Sequence, residues 1–571
     1  MVLKRIIVVS LFFLLFSAVT NVSAQTIGTP PVKIPMYLSA SFGELRNNHF
    51  HSGLDIKIGG KVGLPLYSFD DGYISRISVS PGGYGKALYI THPNGYTTVY
   101  GHMDGFFDEA ENYVKKYQYD HETFEADLSL PENKIRVKRG QFIGYGGNTG
   151  SSGGPHLHFE VRNTQTQEAL NPMPFVERYL TDSRSPQIQE IMIIPMNDDA
   201  GIVNGSRSKR KFPLVTHKKT GIKSINTGIT AWGKIGVAVK AYDYMNNVNN
   251  IFGPYSIMLK VDGIQVFGSK IDHFAFDETR YLNSFVDFEN WKTNGSFFMK
   301  SFVDPGNKLR IYNNLKDRGI ITIDEEREYQ LTYTISDYFG NTTGFDFVIR
   351  GKKEVISKPD DANTQRMEYN KDNKYTRSDL ELDIPEGNLY TDIRFKYGAR
   401  NSMDCLSPVY TLHQYEAAPL HGYCPLKIKI SNDRLTADAS KCYIARIDKN
   451  NRKIYHKSRY KNGWFETQIR DFGDYTVVSD VTPPVITPSL PDKWGINGRI
   501  ICKIYDKDSG IKSYKGQIDG AFYLMEYDSK NNLLSAKLES SRIQKGTNHT
   551  FRLVVTDNCE NEAEYTFEFV W

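Results

Sequence analysis

From about Pro31 to Leu180, short apolar runs alternate with polar positions and are broken by glycine-rich turns, as in YISRISVS (73–80), KALYITHPNGYTTVYGHM (86–103) and QFIGYGGNTGSSGGPHLHFEVR (141–162). A period of two marks half-buried strands, so this region reads as a β domain. Within it, Asn94-Gly95 predicts a hairpin whose tight primed turn takes its positive φ angles from those two residues. One segment breaks the rhythm. Ala110, Tyr113, Val114 and Tyr117 fall at helical spacing, which predicts an amphipathic helix from 107 to about 127 inside an insertion spanning about 107–134.

Beyond residue 182 the same strand pattern occurs twice. SPQI (185–188), GVAVKAYDYMNN (236–247), IMLKVDGIQVF (257–267) and YQLTYTISDYFGNTTGFDFVI (329–349) return in order as PPVI (483–486), GRIICKIYDKDSG (498–510), KGQIDGAFYLMEY (515–527) and FRLVVTDNCENEAEYTFEFV (551–570). Two copies of one fold follow, at 183–351 and 482–571, the first carrying some fifty extra residues between about 268 and 320. Several short strands per copy, each closed by an Asp/Asn/Gly turn, suggest immunoglobulin-like β-sandwiches. Between the copies, the polar stretch 352–379 reads as a linker and 380–481 as a further β-rich domain. The turn aspartates Asp243, Asp337, Asp506 and Asp557 are of a type that can bind calcium, although such residues usually bond their own backbone. The fold class is therefore mainly β, an N-terminal antiparallel β domain (25–182) followed by several immunoglobulin-like sandwiches.

Length agrees with this division, since 571 residues exceed what one core serves. With 70 basic against 66 acidic residues the formal charge is +4, which lacks the electrostatic footprint of a nucleic-acid binder. Aromatics at 13%, 36 of them Tyr, suit pleated surfaces. At the start, Lys4-Arg5, the apolar run Ile6 to Val19 and VSA before Gln25 read as a signal peptide, 1–24, cleaved after Ala24. No later stretch approaches 18 apolar residues, so the expectation is an exported protein without a transmembrane segment after cleavage, in the periplasm, cell envelope or medium. In an oxidising compartment the five cysteines can pair, and Cys405 with Cys424 or Cys442, and Cys502 with Cys559, are the first pairings to test.

Four of the 13 histidines carry the chemistry: His51, His102, His156 and His158, all in the first domain. A catalytic zinc takes three protein ligands and leaves one position open. In HLHFE, His156 and His158 stand two apart on a strand and share a face. His51 and Asp55 stand four apart, roughly 13 Å in a straight strand, so the segment must curl to bring both to one ion. Gly53 between them permits that by its conformational freedom. His49 shares a face with His51 and remains a rival ligand at this level. Glu160 continues the row of His156 and His158, which suits it to orient a ligand from behind, or equally to pack at a strand end or face solvent.

HSGLD, YGH and SGGPHLHFE together resemble the marks of the lysostaphin-type zinc metallopeptidases, over residues 37 to about 175. The resemblance implies that His51, Asp55 and His158 hold Zn2+ and that His102 and His156 are the catalytic pair beside it, with His49 only a neighbour. It further implies hydrolysis of peptide bonds, chiefly in bacterial peptidoglycan, with stem peptides as substrate and a D,D-endopeptidase as the first expectation. No His-Glu-x-x-His is present, so the histidines must take the role that a glutamate base fills elsewhere. Compact members of the family have only a short connection where this chain inserts 107–134. The competing reading is a catalytically silent relative that binds cell wall or a partner and regulates a separate hydrolase. Under either reading the C-terminal β domains are a candidate surface for an envelope protein partner.

Overall fold

The computed structural model describes residues 28–196, 201–219, 221, 223–356, 362–431, 434–435 and 438–571. The segment 1–24, read as a signal peptide, lies outside the described residues. Among the described residues no helix is long and apolar enough to cross a membrane.

The protein is mostly β, as the alternation predicts, with the histidine-bearing β domain at its N-terminal end and several β-sheet domains after it. In the first domain the sheet runs Leu38–Ala40, Leu54–Lys57, His156–Asn163, Tyr96–Phe106, Lys86–Thr91, Gly72–Val79, Ala126–Ser129. Its pairings are antiparallel, and inward residues such as Leu54, Ile56, Leu157 and Phe159 are fully buried. The hairpin between Lys86–Thr91 and Tyr96–Phe106 exists, but its turn is not of the primed kind: only Gly95 has positive φ (85°), and its N–H bonds the His92 carbonyl at 3.3 Å. Pro93 explains this, because its fixed negative φ suits the second position of an ordinary turn, after which Gly95 takes the left-handed residue.

The insertion is helical only over Asp108–Asp120, with Asp108, Glu109 and Glu111 in its first turn where the helix dipole favours them. Ala110 and Val114 are buried, as the spacing predicts. Residues 126–129 then join the sheet edge against Gly72–Val79, so the predicted helix overruns the real one by about seven residues, through a turn into the start of a strand. The helix faces the last domain. The Tyr119 ring meets Phe522 at 5.6 Å, Arg542 stacks over Tyr119 at 3.7 Å, and Lys115 and Glu122 pair with Glu539 and Lys515.

The two repeats share one pairing scheme. Gln187–Pro195 pairs with Ile229–Tyr244 as Val485–Pro488 pairs with Arg499–Tyr505. Ser256–Val261 pairs with Glu328–Ser336 as Ile511–Ile518 does with Asn548–Asp557, and each of those partners closes a hairpin with the next strand. In the last copy two four-stranded sheets bury Ile500, Leu534, Leu553 and Phe551 between them. The extra residues of the first copy contain the short helices Leu282–Phe285 and Phe288–Asn294. They wedge between domains. Phe50 donates to Thr279 Oγ1 at 2.7 Å, Asn283 donates to Asn48 at 3.0 Å, and Arg280 donates to the Leu420 and Arg470 carbonyls at 2.9 Å. His273–Phe274 adds a strand to the first domain's sheet, and one apolar core runs through both units.

The stretch read as a linker, 352–379, holds two strands: Thr364–Met367 pairs with Ile393–Arg400, and Asn373–Thr376 with Leu380–Ile384. They belong to the third domain, whose core includes Met367 and, packed against it, Tyr375. Polar composition hid them because their outward residues, Gln365, Arg366, Lys374 and Thr376, face solvent. All five cysteines are free thiols; Cys424 and Cys502 sit in different cores, and burial pushes both up to about 12.

In that third domain His413 is buried against Phe395 and Phe472, and burial, aided by Lys396, lowers it to about 4. Its folded value lies below the unfolded one, so protonation favours the unfolded state and stability falls as pH drops from about 6.5 towards 4. We expect strands Ile393–Arg400 and Gly473–Ser479 to lose hydrogen-exchange protection across that window, by up to about 3 kcal/mol. His413→Asn, which tolerates the left-handed φ of 57°, should flatten the dependence.

Candidate metal centre

Strand register builds the site. His158 lies directly across from Asp55 on one neighbour and from Gly101 on the other, so His102 arrives beside it from the adjacent strand. His51 precedes the first of these strands in a curled segment, as the spacing requires. The reason for Gly53 differs from the expectation: a Cβ there would stand 2.5 Å from the Phe159 carbonyl oxygen, so the residue serves close approach and its φ is not positive. His102 itself has φ 59°, and the ladder shifts register on both sides of it, a bulge that turns its ring into the groove.

Three atoms converge. His51 Nε2, Asp55 Oδ1 and His158 Nδ1 lie 3.0 Å from one another. Each imidazole is fixed from its far side: His51 Nδ1 donates to the Ser41 carbonyl at 2.7 Å, and His158 Nε2 donates to Glu160 Oε1 at 2.8 Å. With those tautomers the three converging atoms form a donor set able to hold a cation, and it matches zinc in number and type. Burial raises the Asp55 carboxyl, but the surrounding histidines outweigh it and hold Asp55 well below the usual carboxylate range. Against the pull of burial, Asp55 and Glu160 raise His158 to about 9.

His102 and His156 flank this triangle. Each donates Nδ1–H to a carbonyl of the glycine-rich approach, His102 to Thr149 and His156 to Gly154, both at 2.8 Å, so each Nε2 is turned away from that loop. Their rings stand 4.8 Å apart. Burial, then the neighbouring histidines, lowers His102 to about 3. The glycines of GGNTGSSGGP allow this because a Cβ on Gly147 or Gly150 would meet backbone at 2.3–2.7 Å. His49, the rival by alternation, is exposed and bonds the Asn47 carbonyl; it stays outside the cluster.

Behind the triangle Glu160 is fully buried, which excludes solvent exposure, and its bond to His158 favours the orienting role. It accepts from His158, Ser52 and Tyr84, and from Arg162 at 2.7 Å. Arg162 continues the row His156, His158, Glu160 and was legible by the same two-residue rule; Ser52 and Tyr84 carried no such signal. Glu160→Gln should weaken zinc about 10- to 100-fold in a chelator competition, with activity restored by excess zinc.

The site opens into a groove of about 1140 Å3 bordered by Arg46, Tyr84 and Pro155, and, from the next domain, Phe276 and Thr279. At one rim Lys530 of the last domain donates to the Ser152 carbonyl at 3.2 Å. The inserted helix does not line the groove; its partner is the last domain.

The model of "Peptidase family M23" matches residues 49–119 and 126–172, and that of the "Zu5-like domain" matches 364–480. The DD-carboxypeptidase/endopeptidase Mpg of Neisseria meningitidis is 33% identical over 112 residues, 20% of each chain. Peptidoglycan DD-endopeptidase ShyB of Vibrio cholerae is 36% identical over 137 residues, 24% of this chain and 26% of its own. This chain thus spans about a fifth to a quarter of the length of these curated relatives. A zinc-containing peptidase from Vibrio cholerae is 28% identical over 25% of this chain and 38% of its own, with a TM-score of 0.19. The metal-centre domain of this chain belongs to peptidase family M23, the lysostaphin-type peptidases.

Proposed function

We propose that the chain is an exported, zinc-dependent endopeptidase that hydrolyses peptide cross-links of bacterial peptidoglycan. The observation that carries this reading is the convergence of three lone pairs from His51, Asp55 and His158 at 3.0 Å, beside two further imidazoles in an open groove. A catalytically silent descendant would have no reason to keep all five groups. Curated relatives described as peptidoglycan DD-endopeptidases support the choice of substrate, with an extended stem peptide lying along the groove.

A zinc ion held by the three ligands supplies Lewis acidity towards a water and towards the scissile carbonyl. The chain's own residues do the rest. His51 and His158 are locked in the required tautomers by Ser41 and Glu160. His102, kept neutral by burial, has a free Nε2 able to take the proton of the attacking water. His156, fixed by Gly154, stands where it can donate to the oxygen or amine on which charge develops. The walls formed by Tyr84, Pro155 and Phe276 orient the peptide.

The test uses the mature full-length chain and purified sacculi with D-Ala cross-links. One zinc per chain, release of uncross-linked muropeptides, and loss of both on chelation are the expected results. Zinc bound with no product would overturn the enzyme reading in favour of a regulator that binds cell wall.

A further inference from the structure

The two repeats carry matching clusters of aspartates, Asp243 and Asp337 with Asp182 just ahead of the first repeat, and Asp506 and Asp557 with Asp480 just ahead of the second, each offering ligand oxygens within 4.8 Å of one another. Their frames agree closely. Asn341 donates its backbone N–H to Asp337 Oδ1 at 2.9 Å, and its side-chain amide to Asp337 Oδ2 at 2.7 Å and to the Asp182 carbonyl at 3.4 Å. Asn561 does the same for Asp557 at 2.8 and 2.8 Å and for the Asp480 carbonyl at 3.0 Å.

The carboxylates themselves differ. In the second copy the turn after Asp506 folds back, and the N–H groups of Asp508, Ser509 and Gly510 all bond Asp506 Oδ1 at 2.6–3.1 Å. Ser509 also donates to Asp480 Oδ2 at 3.1 Å, and Thr482 to Asp480 Oδ1 at 3.1 Å. This cluster is satisfied by its own backbone. In the first copy Asp243 is only 6% exposed, yet its Oδ1 has no hydrogen-bond partner, and neither has Asp182 Oδ2. A buried carboxylate oxygen without a donor is costly, and two beside a third carboxylate more so. Burial, with Asp337 and Asp182 adding to it, pushes the Asp243 carboxyl up to about 8. The guanidinium nearby, Arg184, bonds the Met245 carbonyl and stacks on Tyr244.

These residues line a cavity of about 30 Å3, enough for one ion or water. Its other walls include Ser41, Asn171 and Met173 of the peptidase domain. We propose that Asp182, Asp243 and Asp337 bind a calcium ion at the joint between the peptidase domain and the first sandwich. All-oxygen donors, three carboxylates and a fixed frame suit a hard divalent cation, and calcium tolerates such irregular geometry better than magnesium. The ion clamps the interdomain angle that sets Phe276 and Thr279 at the groove. The peptidase reading is not needed for this.

The experiment measures calcium binding to the zinc-loaded full-length chain after removal of other cations, by equilibrium dialysis and by thermal unfolding. Wild type is expected to bind one calcium and to rise in Tm by a few degrees. Asp243→Asn and Asp182→Asn, each checked for fold by circular dichroism, should lose that ion and the rise, whereas Asp506→Asn should keep both. No bound calcium at millimolar concentration in the wild type, or stoichiometry untouched by Asp243→Asn and Asp182→Asn, would overturn the proposal.

Discussion

Asp55→Ala is expected to abolish both stoichiometric zinc and release of cross-link fragments, lowering turnover about 10^3-fold or more. The magnitude follows from what the carboxylate does. Asp55 Oδ1 lies 3.0 Å from both His51 Nε2 and His158 Nδ1, so its removal leaves two imidazoles, a set with too few ligands to hold zinc against a buffer. Several kcal/mol of Lewis-acid stabilisation disappear with the ion, and each tenfold in rate corresponds to about 1.4 kcal/mol. The surrounding strand should survive, because Leu54 and Ile56 keep their burial on the opposite face. Metal analysis and muropeptide release on the same preparation check this. Full zinc occupancy in Asp55→Ala would remove this residue from the ligand set.

His102→Asn should separate the two roles that surround the metal. Zinc content is expected to stay at one per chain while kcat falls about 10^2- to 10^4-fold and KM changes little. His102 bonds Thr149 and not the ligand triangle, so zinc binding is expected to survive the change while proton transfer, on the proposed mechanism, is lost. Asn is chosen because it tolerates the left-handed backbone at φ 59°, where Ala would add strain of its own. A parallel fall in zinc content would assign His102 a holding role instead.

How much of this was legible beforehand depends on the distance over which each cause acts. Local periodicity revealed the strands, the helix at Asp108–Asp120 and the doubled strand pattern, because side-chain alternation reports directly which face is buried. It overran the helix by several residues, since Ala126–Ser129 is a strand only because the Gly72–Val79 edge is there to receive it. It also passed over Thr364–Met367 and Asn373–Thr376, polar edge strands held by neighbours rather than by their own composition. Pro93 outranks Asn94-Gly95 in the hairpin, a contest between two local rules in which the fixed φ of proline wins.

By itself the sequence determined the residue types at the candidate metal centre and the row His156, His158, Glu160, because a strand's period of two is a consequence of the chain's own geometry. Only the tertiary structure showed His49 exposed and apart from the cluster, gave Gly53 its reason, and turned one nitrogen of each imidazole toward Asp55 by placing Ser41 and Glu160 behind it. It alone distinguished the aspartates of the two repeats, which look equivalent in sequence: the turn after Asp506 folds its amides onto the carboxylate, and Asp243 Oδ1 is left with no such donor. Hydrogen-bond satisfaction is a property of three-dimensional neighbours, and spacing along a chain does not encode it.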